Sequence, residues 1–73
     1  MTARELQRIV NEAIESAPEI VKGDCCKPWA TVSEVRYVIQ LHGCSKDTQL
    51  VHYIYEKLYD LNVDTTEILV LVD

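Results

Sequence analysis

The chain has 73 residues, 48% of them hydrophobic and 26% charged, which is the balance of a single folded domain. A domain of this size buries only about 60% of the surface its unfolded chain exposes, so a shallow functional surface is expected in place of a deep catalytic cleft. Twelve acidic side chains against seven basic ones give a formal charge of −5, which opposes binding to a nucleic acid backbone and favours a protein partner with a basic surface.

No apolar run is long enough to span a bilayer, and the first ten residues mix Arg4, Glu5 and Arg8 with apolar side chains, unlike a signal peptide. A cytoplasmic protein is expected. The cysteines, Cys25, Cys26 and Cys44, are odd in number, and the adjacent pair are awkward partners for each other, so reduced thiols are expected and a disulfide scaffold is not.

The first predicted element is a helix over residues 2–17. Thr2 and Glu5 have capping-box spacing, Leu6, Ile9, Val10, Ala13, Ile14 and Ala17 recur every 3.6 residues, and Pro18 ends the run. Residues 19–29 read as a loop in which Ile20 and Val21 could make a short extended piece, Gly23-Asp24 turns the chain and Lys27-Pro28 keeps it extended. Residues 31–42 carry two patterns. Val35, Tyr37, Ile39 and Leu41 alternate as a strand would, while Val32, Val35, Val38, Ile39 and His42 share a helical face. Thr31 with Glu34 repeats the capping-box spacing and Gly43 suits a helix C-terminus, so a helix is predicted here.

A further helix is predicted over residues 46–61, capped by Ser45 or Asp47, with Leu50, Val51, Ile54, Leu58 and Leu61 as its apolar stripe and Asn62 as its terminator. Ile68-Leu69-Val70-Leu71-Val72, after Asp64, Thr65 and Thr66, reads as a core strand. The expected fold is therefore α+β, a small single domain over residues 1–73 of about three helices with a short C-terminal strand.

On this reading, helix, Gly43-Cys44-Ser45 turn and helix form a helix-turn-helix-like unit. A DNA-reading version needs cationic or amide side chains on its second helix, whereas Lys46, Gln49, Tyr53, Glu56, Lys57 and Asp60 are mixed in sign, so direct nucleic acid binding is the alternative and not the expectation. Cys25, Cys26, His42 and Cys44 include the ligand types of a zinc site but not its usual spacing; no metal and no cofactor is expected. His42 and His52 are the only histidines that could serve as a base, and no oxyanion hole, phosphate loop or supported carboxylate pair accompanies them, so the chain does not read as an enzyme.

Aromatic usage points to an interface. Four tyrosines and one tryptophan occur without any phenylalanine, and Tyr and Trp combine apolar area with a polar tip. Glu56, Asp60, Asp64, Glu67 and Asp73 are opposed in the C-terminal part only by Lys57, which would steer a basic partner to that end. The expected docking surface comprises Trp29, the His52/Tyr55/Tyr59 stripe, Asp60 and Asp64.

In size and character, over the whole chain from Met1-Thr2-Ala3-Arg4-Glu5 to Val70-Leu71-Val72-Asp73, the sequence resembles the small acidic host-takeover proteins of bacteriophages, and among them the transcription regulators of Xanthomonas phages. That resemblance implies binding to host RNA polymerase, inhibition of initiation by displacement of the σ factor, and suppression of termination; the protein itself is expected to be a monomer. It brings no interface residue with it. An inhibitor of a nuclease defence such as a CRISPR effector, with acidic residues imitating nucleic acid, is a further alternative of the same protein-binding kind.

Overall fold

A computed structural model describes residues 1–25, 27–44 and 48–72. Helix α1, Ala3–Ser16, forms where its capping signal places it: the Thr2 hydroxyl accepts from the Glu5 amide at 3.2 Å. Its stripe of Leu6, Val10, Ala13 and Ile14 is buried. A four-residue helix α2, Glu19–Lys22, follows Pro18 inside the stretch expected to be a loop, and Gly23 ends it at φ 50°.

Residues 31–42 are not a helix. Strand β1, Trp29–Val32, and strand β2, Tyr37–Leu41, form an antiparallel hairpin in which Trp29 faces Gln40 and Val32 faces Tyr37. Ser33 closes the turn, its amide donating to the Arg36 carbonyl at 2.8 Å and its hydroxyl accepting from the Arg36 amide at 3.2 Å. The alternation that sends Ile39 and Leu41 into the core therefore outweighs the helical face. Gly43, at φ 71°, turns the chain out of a strand and not out of a helix. With a strand before it, the next helix is not the second member of a helix-turn-helix, and the structural basis of the DNA-binding alternative is lost.

Helix α3, Thr48–Asp60, buries Leu50, Ile54 and Leu58. The expected caps Ser45 and Asp47 lie outside the described residues. At its other end Asn62, at φ 59°, donates to the Tyr59 carbonyl (3.0 Å) and Val63 donates to the Leu58 carbonyl (2.9 Å), the paired closing bonds of a left-handed helix cap. A single 3₁₀ turn, Thr65–Glu67, leads into strand β3, Ile68–Val72, which runs parallel to β2 with Ile39 beside Val70. The molecule is thus a small α+β domain, with three α-helices and a three-stranded sheet that includes the C-terminal strand among the described residues. Its middle helix is α2, not the one expected at 31–42.

Strand order β1-β2-β3 and the pleat give the sheet two unlike faces. The inner face carries Ile39, Leu41 and Ile68 with half-buried Ala30, Tyr37, Val70 and Val72, and joins Leu6, Val10, Ile14, Leu50, Ile54 and Leu58 in one core. The outer face carries Trp29, Thr31, Val38, Gln40, Leu69 and Leu71. Among the described residues no helix is long and apolar enough to cross a membrane.

Cys25 and Cys44 are joined by a disulfide, contrary to the expectation of free thiols. The hairpin explains why. Continuing its register outward by four residues on each strand, from Trp29 opposite Gln40, sets Cys25 opposite Cys44. The bond also removes two of the four residues weighed as zinc ligands, since neither sulfur remains a thiolate. Cys26 lies outside the described residues.

Candidate docking groove beside helix α3

Because side chains three and four apart share a helical face, His52, Tyr55, Glu56, Tyr59 and Asp60 form one stripe of α3, adjacent to the buried Leu50/Ile54/Leu58 stripe. Together with Thr65 of the 3₁₀ turn they line a shallow groove of about 340 Å³. Tyr55 is the half-buried wall of this groove, its hydroxyl donating to the Ile68 carbonyl at 3.2 Å at the start of β3. Tyr59 is 76% exposed, an aromatic ring held at the surface by a rigid helix.

Asp64 stands immediately before the 3₁₀ turn and caps it. Its Oδ1 accepts from the Thr66 hydroxyl at 2.6 Å and from the Thr66 amide at 3.0 Å. These two bonds, the hydroxyl first, hold its carboxyl below its ordinary pKa and keep it ionised. The sign follows directly: with the folded value depressed, the cap contributes stability above the unfolded pKa and loses it as pH falls through the folded one. Thr66→Ala is expected to raise the Asp64 pKa toward the ordinary aspartate value, which an NMR titration of its side-chain carboxyl carbon reads directly. An unchanged midpoint would remove the hydroxyl as the cause.

Lys57 does not neutralise the groove. It lies on the other flank of α3, its ammonium 5.5 Å from the centre of the Tyr53 ring, and Tyr53 in turn reaches α1, donating to the Ser16 carbonyl at 3.2 Å. The groove flank therefore carries Glu56, Asp60 and neighbouring Asp64 with no lysine or arginine among its lining residues.

The structure thus brings His52, Tyr55, Tyr59 and Asp60 together and sets Asp64 beside the turn that closes their groove. Trp29 is elsewhere. It is 64% exposed on the outer face of β1, on the far edge of the sheet from β3, so the single surface expected from the sequence divides into two. Glu56 and Thr65 complete the groove; helical spacing from His52 reveals the first, and only the return of the chain through the 3₁₀ turn reveals the second.

Among the described residues, no group of three or more His, Cys, Asp or Glu side chains is arranged to hold a metal ion. No family model, no curated protein and no solved structure matches the chain.

Proposed function

We propose that this protein acts by occupying the surface of a basic protein partner through the α3 groove, with bacterial RNA polymerase as the partner suggested by its resemblance to phage transcription regulators. The observation that carries this reading is the groove itself: a fully formed, exposed aromatic anchor at Tyr59 with Glu56, Asp60 and ionised Asp64 around it. Interfaces draw most of their affinity from a few such anchors, while surrounding charges chiefly raise the association rate with a partner of opposite sign. Regulation then needs no chemistry. A σ factor is displaced when the protein binds polymerase lacking σ more tightly than polymerase holding it, a linkage of two binding equilibria.

The test is titration of purified polymerase core and holoenzyme with the protein. Tyr59→Ala is expected to weaken binding to core by about 1 to 3 kcal/mol while leaving the melting temperature unchanged, because the ring is exposed. Replacing Asp60 and Asp64 with lysine is expected to slow association and flatten its salt dependence. Equal affinity of the Tyr59→Ala and parent proteins, or no binding to polymerase at all, would refute the corresponding part of the proposal.

A further inference from the structure

Strand β3 closes one side of the three-stranded sheet and has a neighbouring strand, β2, on one side only among the described residues. Proteins usually blunt such an edge with lysine, proline or a bulge, because its unpaired amides and carbonyls are a template for another strand. Ile68–Val72 contains no charge, no proline and no glycine. Leu69 and Leu71, 37% and 41% exposed, stand on the outer face in line with Val38 and Thr31 and with Gln40 and Trp29. An added strand would continue these rows, and its alternate residues would cover half-buried Val70 and Val72 on the inner face.

Charge decides what can be added. Glu67, exposed in the 3₁₀ turn directly before β3, puts an acidic side chain at the N-terminal end of this edge, which favours a segment with a cationic residue there. The same end of β3 adjoins Asp64 and, through the Tyr55 bond to Ile68, the Glu56/Asp60 side of the groove. We propose that the β3 edge takes an extended, alternately apolar segment of a partner as a fourth, antiparallel strand, with lysine or arginine at the end that meets Glu67 and the groove. This inference rests on the basic-partner reading above and specifies how such a partner is held.

The probe is a seven-residue peptide of alternating valine and threonine ending in two C-terminal lysines, with a two-glutamate version as control, followed by amide NMR shifts and hydrogen exchange of the full chain. The lysine peptide is expected to shift and protect amides of Ile68–Val72, and the glutamate peptide to leave them unchanged. Glu67→Lys, at an exposed position, is expected to weaken the lysine peptide about tenfold and to favour the glutamate peptide, a reversal that a loss of folding would not produce. Protection of β3 that rises with protein concentration in the absence of peptide would instead identify a second copy as the occupant and overturn the proposal. Polymerase binding that depends on Tyr59 without protection of β3 overturns strand addition alone, whereas loss of both polymerase and peptide binding removes the two readings together.

Discussion

Reduction of the Cys25–Cys44 disulfide is expected to lower the stability of the fold by about 3 kcal/mol, the value for releasing a closed loop spanning 19 positions in the unfolded chain. In a domain of this size that corresponds to a fall in melting temperature of roughly 10 to 25 °C. The bond ties the segment before β1 to the segment after β2, so it clamps the open end of the hairpin at the point where the chain leaves the sheet for α3. Cys25→Ser with Cys44→Ser should show the lower melting temperature without reductant, and reductant should then have no further effect. The groove residues lie on a different part of the molecule, so partner affinity measured well below the transition should be the same in both redox states. Identical melting curves with and without reductant would show that the bond contributes nothing. The outcome also bears on where the protein works, since a reducing compartment would hold it in the less stable form.

The sequence makes α1 and α3 legible, where a long apolar stripe at helical spacing meets no competing strand alternation. Thr2 with Glu5, the Leu6/Val10/Ala13/Ile14 stripe, and Asn62 after α3 all act in the structure as their positions suggest. Ile68–Val72 could be read as a strand because five consecutive β-favouring residues in so short a run leave little alternative. Residues 31–42 were ambiguous because Thr31/Glu34 and Gly43 imitate helix caps, while the deciding interactions are non-local: Ile39 lies between Ala30 and Val70 on neighbouring strands, and neither pairing can be seen in a local window. The odd cysteine count and the adjacent Cys25-Cys26 pair hide the disulfide in the sequence, and the hairpin register that brings Cys25 to Cys44 is non-local.

Helical spacing places His52, Tyr55, Tyr59 and Asp60 on one flank because those residues belong to one element. Joining Trp29 to them required knowing which face of which strand it occupies, and that follows only from sheet order and pleat. The expected surface thus changes from one aromatic patch to an acidic groove beside the start of β3, with Trp29 left on the outer face of the sheet.

Replacing Ile54 with alanine should be among the most damaging single changes on α3. Its side chain is fully buried, between Leu50 and Leu58 along the helix, and shares a core with Leu6, Val10, Ile39 and Ile68. Truncation removes apolar contacts from a close-packed site and leaves a cavity, a loss of about 2 to 5 kcal/mol. A 73-residue domain has a total stability of about 4 to 11 kcal/mol, so this one substitution is expected to consume a large share of it. Chemical denaturation should show a lower midpoint with an unchanged slope, the mark of lost stability in an otherwise similar folded state. Ile54 points away from the groove face, so at low temperature, where the variant remains folded, its partner affinity should match that of the parent protein. Tyr59→Ala should give the opposite pattern, with stability retained and affinity reduced, because its ring is exposed. The two variants lie five residues apart on one helix and thereby separate folding from binding. If folded Ile54→Ala protein lost affinity as strongly as Tyr59→Ala, the Tyr59 effect could not be assigned to a direct contact, and Tyr59 as the docking anchor would have to be abandoned.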